Sequence, residues 1–329
     1  MKVAINGFGR IGRNIFKILH ERKIPVCAIN DIHGVKDAYY LLKHDSIYGN
    51  FKGKVSIDSE NLFVDGKKVI ILQNRNPEQL PWKKLGVDIV IESTGAFRDK
   101  EGINKHFSAG AKKVIVTAPS DDVDITLVPS VNDSKLNKNH KIISIASCTT
   151  NASAPVLKIL DKNFGIENVM INTIHSYTSS QSLVDSSNEK PRRGRAAAVN
   201  LIPTSTGASK AVCEVIPELK GKISGVAIRV PIADGSIVDV TASLKKDFEI
   251  EEINNCFKNE AKRKYKGIIE YSEDELVSSD IVGSSYSGIF DSKMTMKEGK
   301  LVKVLVWYDN EYGYSNRVVD VLERLKKFK

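Results

Sequence analysis

The chain has 329 residues, of which 41% are hydrophobic and 27% are charged, and its formal net charge is +9. This length is too great for one small core and suits two domains, and the composition is that of a globular protein. No apolar run approaches the roughly 18 residues that a membrane-spanning helix needs. The first apolar strand begins almost at Met1, which predicts a cytoplasmic protein with no cleavable leader.

The cysteines and the charge bound the class of protein further. Cys27, Cys148, Cys213 and Cys256 are far apart and form no CxxC pair. We therefore expect reduced thiols, no metal site and a reducing compartment. The positive charge could attract nucleic acid. However, the lysines are spread among acidic residues and accompany no nucleic-acid-binding motif, which favours a solvated surface.

A glycine-rich turn follows the first predicted strand, residues 2–6. A GxGxxG motif between a strand and an amphipathic helix is typical of dinucleotide binding. Gly7 would make the tight turn, Gly9 would let the backbone approach the pyrophosphate, and Gly12 would let the helix and strand pack closely. The free N–H groups that begin the helix would hold the phosphates. The cofactor-binding residues predicted in this turn are Gly7, Gly9, Arg10, Ile11 and Gly12.

Asp31 follows the second predicted strand, residues 26–30. It lies about 20 residues beyond the glycine motif, where an NAD-binding fold hydrogen-bonds the 2′-hydroxyl of the ribose. Asp31 could instead cap the next helix. Both roles are compatible, and the spacing favours the ribose and thus NAD.

Later strands complete the predicted sheet of the first half. They are expected at residues 87–93, 113–117 and 142–145. Their alternation with helical stretches is typical of a parallel, doubly wound sheet, in which ligands bind beyond the carboxyl ends of the strands. Thr94, Gly95 and Thr117 lie at such ends and are candidates for the nicotinamide side of the cofactor. Arg75, in a loop, is a candidate for the adenine side, although alone it would be a plain surface arginine.

Cys148 is predicted to lie where a strand ends and a helix begins. The helix dipole favours a thiolate at that position. A free cysteine is more often a small core residue, but its polar neighbours Ser147, Thr149 and Thr150 favour a nucleophile. His175 ends an apolar strand and is the expected base for this cysteine, whereas the remaining histidines are mostly expected at the surface.

The whole chain resembles the glyceraldehyde-3-phosphate dehydrogenases. The resemblance lies in seven ordered motifs: INGFGRIGR (5–13), ASCTTN (146–151), HSYT (175–178), RRGRAA (192–197), IPTSTGA (202–208), RVP (229–231) and WYDNEYGYSN (307–316). It implies a Rossmann-type NAD(P)-binding domain at 1–147 and an α+β catalytic domain with a mostly antiparallel sheet at 148–310. A helix at 311–329 would pack back on the first domain. The resemblance also implies a homotetramer in which the loop at 177–200 reaches a neighbour's cofactor.

The resemblance also implies a mechanism. Cys148 would attack the aldehyde of glyceraldehyde 3-phosphate, and His175 would take the hydroxyl proton as hydride passes to the nicotinamide. Inorganic phosphate would then release the thioester as 1,3-bisphosphoglycerate. Asn310 would bind the nicotinamide carboxamide. Hydroxyls and guanidinium groups suit the two anion sites that this needs, although the threonines could be ordinary cap residues. The substrate phosphate would be held by Thr178 and Arg229, and inorganic phosphate by Ser147, Thr149, Thr206, Gly207 and Arg195.

Two positions depart from the family pattern. Ala152 stands where many relatives carry a second cysteine, which argues against a thiol switch at the site. Asp185 is followed by Ser186 and Ser187, which resembles the pair found in relatives that accept NADP rather than the Leu-Pro of strictly NAD-using ones. Asp31 opposes a 2′-phosphate by charge. We therefore expect NAD to work and NADP to be tolerated.

Two alternatives stay open at this stage. Erythrose-4-phosphate dehydrogenases usually lack the threonine matching Thr178 and the Ser-Thr-Gly matching 205–207, and both are present here. The net charge would also allow a secondary nucleic-acid-binding or receptor-binding role. A purely binding descendant would not need the Cys148–His175 pair, so the phosphorylating triose enzyme is favoured, with no nucleic acid or membrane required.

Overall fold

The computed structural model describes residues 1–328, which form two compact units. Unit 1 comprises Met1–Leu127, Ser134–Ala146 and the C-terminal residues from Ser315 onward. Unit 2 comprises Val128–Asp133 and Ser147–Tyr314. Short 3₁₀ helices lie at Pro77–Gln79, Asp133–Lys135, Pro191–Gly194, Ala197–Val199 and Pro217–Leu219.

Unit 1 is built around a nine-stranded sheet. Its elements from the N-terminus are β1 (Val3–Asn6), α1 (Arg10–Glu21), β2 (Val26–Asn30), α2 (Gly34–Lys43), β3 (Val55–Ile57), β4 (Asn61–Val64), β5 (Lys67–Leu72), α3 (Trp82–Leu85), β6 (Ile89–Glu92), α4 (Lys100–Ser108), β7 (Lys113–Val116), β8 (Ile125–Thr126) and β9 (Ile142–Ser144). The strand order is β3-β4-β5-β2-β1-β6-β7-β9-β8. The β3–β4 and β4–β5 pairs are antiparallel, and the other neighbouring strands of this sheet pair parallel. The predicted Rossmann-type, doubly wound sheet is thus confirmed, with β2 and β6 on opposite sides of β1.

The predicted strands of unit 1 occur, each slightly shorter than expected, as β6, β7 and β9. The strands β3 to β5 were not predicted. Two of them have only three or four residues, and β3 is only half-buried, so the sequence there shows no clear alternation of apolar and polar side chains.

His106 corrects the expectation of surface histidines, because its side chain is fully buried in unit 1. The indole N–H of Trp82 donates to Nδ1 of His106 over 3.1 Å. Since indole can only donate, the proton of this neutral imidazole lies on Nε2, which donates to Glu92 Oε2 at 3.0 Å. A paired histidine is satisfied in a core, and the polar helix around it gave no sign of these partners.

Unit 2 contains a seven-stranded sheet with the order β11-β12-β10-β13-β16-β15-β14. Its elements are α5 (Cys148–Phe164), β10 (Ile166–Ser176), β11 (Ile202–Ser205), α6 (Ala208–Val215), β12 (Ile223–Val230), β13 (Ser236–Leu244), α7 (Ile250–Lys262), β14 (Ile269–Ser272), α8 (Ser278–Ile281), β15 (Gly288–Glu298) and β16 (Leu301–Tyr308). The sheet is mostly antiparallel, as predicted, with parallel pairing between β10 and β12 and between β14 and β15. Helix α5 packs on this sheet against β10, β13, β15 and β16.

The last helix, α9, spans Tyr312–Lys326 and so begins one residue after the predicted start at residue 311. The carboxylate of Asp309 accepts hydrogen bonds from the backbone N–H groups of Glu311 and Tyr312, at 2.9 and 2.6 Å, and so caps the start of the helix. Within unit 1, Arg22 pairs with Asp320 and Glu323 on this helix. No helix in residues 1–328 combines the length and apolar character needed to cross a membrane.

Asp45 is a buried anion between two cations in unit 1. Its side chain is inaccessible and accepts from Lys17 Nζ at 2.7 Å and Arg10 Nη1 at 2.8 Å. Burial alone would raise the pKa of Asp45, but the hydrogen bonds from Lys17 and Arg10 hold that pKa well below its usual range. The carboxylate therefore ties α1 to the chain that follows α2.

We predict that Asp45→Asn lowers the free energy of unfolding by about 3 kcal/mol, because it leaves the buried Lys17 ammonium without its counter-ion. Urea unfolding at neutral pH measures the change. In the wild type the same contribution should be lost on acidification below about pH 4, where the unfolded carboxyl binds a proton that the folded one does not. Glu101→Gln, at an exposed carboxylate paired with Lys105, is the matched control and should leave the midpoint unchanged. Equal midpoints for wild type and Asp45→Asn would contradict this account.

Candidate active site

Cys148 is the first residue of α5 and lies directly after a strained turn. Ser147 caps the helix, since its Oγ accepts from the backbone N–H of Thr150 at 3.1 Å. Ala146 has a φ of +55°, a left-handed conformation that costs energy for a residue with a Cβ. The thiol is thereby held at the N-terminus of a 17-residue helix.

His175 lies beside Cys148. Its Nε2 is 3.4 Å from Cys148 Sγ, and the imidazole is 2% exposed. His175 is the penultimate residue of β10, which continues one residue past the predicted end. The ring of Tyr308 contacts the imidazole edge to face, with 5.9 Å between ring centres. The two residues proposed as nucleophile and base therefore meet within unit 2.

Burial sets the protonation of this pair. It raises the pKa of the Cys148 thiol, and the nearby Arg229 charge and the Thr149 N–H only partly oppose it. The expected preference of the helix terminus for thiolate is thus outweighed by desolvation. Burial, together with the charge of Arg229, lowers the pKa of His175 to about 3. Burial therefore disfavours the charged form of each of these two groups.

Arg229 is brought to His175 by strand pairing. The parallel register of β10 and β12 sets His175 directly beside Arg229. The Arg229 Nη1 lies 2.8 Å from His175 Nδ1 and donates to the carbonyl of Ser176 at 3.0 Å. Its Nε is buried and donates to no atom of residues 1–328. A guanidinium with a free buried donor is suited to an anion.

Tyr308 is a site residue that the sequence interpretation missed. Its buried hydroxyl hydrogen-bonds Thr149 Oγ1 at 2.9 Å and Thr173 Oγ1 at 2.8 Å. Burial raises the pKa of Tyr308, so the phenol stays neutral. The only signal for Tyr308 in the sequence was its place in the motif at 307–316. The pairing of β16 with β13 is what directs its ring toward Cys148.

The predicted anion-binding residues have different surroundings. Thr178 Oγ1 hydrogen-bonds Ser180 Oγ at 2.9 Å. Thr206 Oγ1 accepts from the N–H of Ala208 at 3.2 Å, and Gly207 caps α6. No side chain from residues 1–328 would be within 4 Å of a Cβ built on Gly207. These last two residues therefore flank an open helix N-terminus.

Arg195 differs from its expected role in the inorganic phosphate site. It forms a salt bridge to Asp185 at 3.0 Å, and both side chains are more than half exposed. Arg193, which was not singled out, is half-buried, donates to Thr204 Oγ1 at 3.0 Å and adds positive charge at His175 and Arg229. The geometry favours Arg193 over Arg195, a distinction that two arginines two residues apart could not show in sequence.

The glycine turn of unit 1 fits a dinucleotide. Gly7 has a φ of +92°, and a Cβ on Gly12 would lie 2.1 Å from the Gly7 carbonyl oxygen. Gly9 caps α1 without any side-chain cap, no acid occupies the first turn, and the space beside its Cα is free of atoms of residues 1–328. Helix α1 thus offers backbone N–H groups to phosphate. The Arg10 side chain is held by Asp45, so only its backbone is available.

Asp31 is held beside this turn by two backbone donors. Its carboxylate accepts from the N–H of Phe8 at 2.7 Å and from that of His33 at 3.0 Å. The Asp31 carbonyl also accepts from Gly34, which begins α2, so a turn role and a ligand role coexist. A fixed carboxylate next to the glycine turn is what a ribose hydroxyl requires.

The other predicted cofactor residues lie at loop positions. Thr94 donates its hydroxyl to Glu92, Gly95 has a φ of +73°, and Thr117 Oγ1 donates to the Glu92 carbonyl at 3.1 Å. Arg75 is exposed. In unit 2, Asn310 Oδ1 accepts from the hydroxyls of Ser176 and Ser236 at 2.9 and 2.6 Å.

Comparison with known proteins gives consistent matches over the full length. A family model described as the glyceraldehyde 3-phosphate dehydrogenase NAD binding domain matches residues 1–100, and the C-terminal domain model matches residues 147–310. The chain is 54% identical to the glyceraldehyde-3-phosphate dehydrogenase of Thermotoga maritima, covering 99% of both chains. It is 50% identical to that of Geobacillus stearothermophilus, over 98% of this chain and 97% of the relative. It is also 50% identical to a chloroplastic enzyme of Arabidopsis thaliana, over 98% of this chain and 83% of the relative.

Proposed function

The chain belongs to the glyceraldehyde-3-phosphate dehydrogenase family, and we propose that Cys148 and His175 carry out its reaction. The enzyme oxidises glyceraldehyde 3-phosphate with NAD and inorganic phosphate, reversibly, to 1,3-bisphosphoglycerate. The observation that carries the proposal is the 3.4 Å contact between Cys148 Sγ and His175 Nε2 at the N-terminus of α5. We further propose that unit 1 binds the cofactor and that unit 2 carries the chemistry.

The first step joins the substrate to Cys148. His175 Nε2 takes the thiol proton as Sγ attacks the carbonyl carbon. The carbonyl oxygen receives that proton, and a hemithioacetal results. Burial disfavours either ion alone, so transfer of the proton across the 3.4 Å contact accompanies attack.

The second step needs a base at Nε2 again. His175 takes the hemithioacetal hydroxyl proton while the C–H bond breaks and its electron pair leaves as hydride, so that a thioester remains on Cys148. Bound NAD supplies the hydride acceptor. Its phosphates would lie on the Gly7–Gly12 turn, its ribose on Asp31 and its carboxamide on Asn310.

The third step releases the acyl group. An oxygen of inorganic phosphate attacks the thioester carbon, the C–S bond breaks, and the acyl phosphate leaves. Sγ departs as thiolate at the N-terminus of α5, where the Arg229 charge and the Thr149 N–H favour the anion.

Two groups of residues are proposed to hold the two phosphates. Arg229, with its free buried donor, and Thr178 would bind the phosphate of the substrate. Arg193, with Thr206 and Gly207 at the start of α6, would bind inorganic phosphate, and Ser147 and Thr149 would complete that site. Arg193 takes the place predicted for Arg195 because its charge already acts on His175.

The oligomeric state and the cellular compartment are proposed from the family resemblance together with the exposed apolar side chains and the free cysteines. We propose a homotetramer, because large apolar side chains between β10 and β11 are strongly exposed in the single chain: Leu183 77%, Val184 70% and Val199 77%. We also propose a reducing, cytoplasmic location, because all four cysteines are free thiols.

The reaction is tested by following NADH formation from glyceraldehyde 3-phosphate with and without inorganic phosphate. We predict sustained turnover only with phosphate and a loss of at least about 10³-fold in Cys148→Ser, because serine is a far weaker nucleophile here. Cys213→Ser, at a half-buried cysteine elsewhere in unit 2, is the matched control and should retain activity. Turnover that does not depend on inorganic phosphate would show that the enzyme is non-phosphorylating and would contradict the proposed site for inorganic phosphate. No turnover of glyceraldehyde 3-phosphate, together with turnover of erythrose 4-phosphate, would favour an erythrose-4-phosphate dehydrogenase.

Cofactor choice should depend on the charge of Asp31. We predict that the wild type uses NADP with a kcat/KM about tenfold or more below that for NAD, because the carboxylate repels a 2′-phosphate. Asp31→Asn keeps an oxygen acceptor for the turn and should reduce the ratio of kcat/KM for NAD to kcat/KM for NADP. Asp37→Asn, at an exposed acid on α2, should leave this ratio unchanged. Steady-state kinetics with both cofactors measure this. Equal efficiency with NADP in the wild type would show that Asp31 does not select the cofactor.

A further inference from the structure

A row of buried polar side chains crosses the carboxyl edge of the sheet in unit 1. Asn6, Asn30 and Glu92 are the last residues of β1, β2 and β6, and the parallel register sets Asn6 beside both of the others. They are 0%, 4% and 1% exposed, although β1 and β6 are otherwise wholly apolar. Burying polar groups costs free energy unless each has a partner. A polar row in an apolar core is expected at a functional site rather than in a core built for stability alone.

Glu92 is the acceptor at one end of this row. Its Oε2 accepts from Asn6 Nδ2 at 2.5 Å and from His106 Nε2 at 3.0 Å. Its Oε1 accepts from the backbone N–H of Thr94 at 2.8 Å and from the Thr94 hydroxyl. Trp82 fixes the proton of His106 on Nε2, because its indole N–H donates to Nδ1 at 3.1 Å. Each carboxylate oxygen therefore receives two donors, which suits a group that can only accept.

This acceptor orients the amide groups farther along the row. Because Asn6 turns its NH₂ group to Glu92, its Oδ1 faces Asn30 and accepts from Asn30 Nδ2 at 2.6 Å. Asn30 in turn presents its Oδ1 to the loop after β5, where it accepts from the backbone N–H of Asn74 at 2.9 Å. Its Nδ2 also donates to the Asn74 carbonyl at 2.9 Å. One carboxylate thus sets the direction of the hydrogen bonds from β6 across β1 and β2 to this loop.

The row lies directly beneath the loops that are proposed to bind the cofactor. Each residue of the row, and Asn74 at its far end, is followed within two positions by a residue predicted to bind the cofactor. Those predicted residues are Gly7, Asp31, Arg75 and Thr94. Their loops follow strands that are neighbours in the sheet, in the order β5-β2-β1-β6. The row therefore joins the bases of these loops through side chains that are already hydrogen-bonded in the free protein.

On the basis of the proposed cofactor site, we infer that Glu92 is a positioning residue for the dinucleotide and that His106 holds Glu92 in place. The ordered row fixes the loops relative to one another before the cofactor arrives. Loops that are already ordered lose less conformational entropy on binding, which raises the affinity. The affinity for NAD therefore depends on the ability of Glu92 to accept hydrogen bonds, although Glu92 itself is buried.

Isothermal titration of NAD into the enzyme, with no substrate present, tests this role directly. Glu92→Gln keeps the size of the side chain, but its NH₂ group would face either the backbone N–H of Thr94 or Nε2–H of His106, and neither donor can turn away. We expect the Kd for NAD to rise about tenfold or more. The change in kcat at saturating NAD should be much smaller, because Cys148 and His175 lie in unit 2. An unchanged Kd in a folded Glu92→Gln enzyme would overturn the inference.

Asp291→Asn is the matched control for lost stability. Asp291 is a carboxylate of unit 2 that is 2% exposed and accepts from the indole N–H of Trp307 at 3.0 Å. We expect Asp291→Asn to lower the free energy of unfolding, measured in urea, and to leave the Kd for NAD unchanged. If the Kd instead rises with the loss of stability in both variants, Glu92 has a merely structural role and the inference is overturned.

A pair of variants at His106 tests how Glu92 is held. His106→Gln can donate from its NH₂ group to Glu92 and accept from Trp82 through its oxygen, whereas His106→Leu can do neither. We expect the Kd for NAD to rise about fivefold in His106→Leu and to stay within about twofold of wild type in His106→Gln. Equal Kd values for these two variants would overturn the part assigned to His106.

Hydrogen exchange in the wild-type enzyme needs no variant. The backbone N–H groups of Asn74 and Thr94 donate to buried side chains of the row, so we expect both to exchange slowly without NAD. The N–H of Glu60 also donates to a side-chain carboxylate, that of Asp58 at 2.8 Å, but in an exposed turn, and it should exchange fast. If the amides of Asn74 and Thr94 exchange as fast as that of Glu60 until NAD is added, the loops are not fixed in advance and the inference is overturned.

Failure of the inference and failure of the proposed function give different results. A wild-type enzyme that binds no NAD would show that the proposed cofactor site is wrong. A wild-type enzyme that binds NAD with an affinity that Glu92→Gln does not change would show that only the positioning role is wrong.

Discussion

The contact between the Arg229 guanidinium and the His175 imidazole is the constraint on which the catalytic unit depends. The parallel pairing of β10 and β12 makes these two residues neighbours, and the start of α5 brings Cys148 to the other side of the ring. Burial would keep thiol and imidazole neutral, and a fixed cation reinforces this for the imidazole while it favours the thiolate. One arginine thus lowers the basicity of the imidazole and stabilises the leaving thiolate.

In unit 1, the buried side chain of Glu92 holds the ends of two strands in place through its hydrogen bonds. Glu92 is 1% exposed, and Asn6 Nδ2 donates to it at 2.5 Å, the Thr94 N–H at 2.8 Å and His106 Nε2 at 3.0 Å. The Thr94 hydroxyl donates as well, so the carboxylate is fully hydrogen-bonded without a cation. These bonds fix the ends of β1 and β6, where the glycine turn and the Thr94 loop begin. The hydrogen bonds of the buried Glu92 therefore position the two loops that are proposed to bind the cofactor.

A feature could be predicted from the sequence wherever it depends on residues that are close together along the chain. The glycine turn, the cysteine at a strand-to-helix junction and the doubly wound sheet could all be predicted because their signals are local. Residues that act through distant partners could not. Tyr308 reaches Thr149 only through the pairing of β16, His106 is buried only because Trp82 and Glu92 meet it, and Arg193 and Arg195 differ only in where the loop turns them.

The central claim is that Cys148 carries the acyl group, and intact-protein mass spectrometry tests it directly. The enzyme would be mixed with NAD and glyceraldehyde 3-phosphate without inorganic phosphate, quenched in acid and digested to locate the modification. The account predicts one phosphoglyceroyl group per chain, held as a thioester on Cys148 and lost when phosphate is added before the quench. NADH formation with no adduct, or with the adduct on another cysteine, would contradict it.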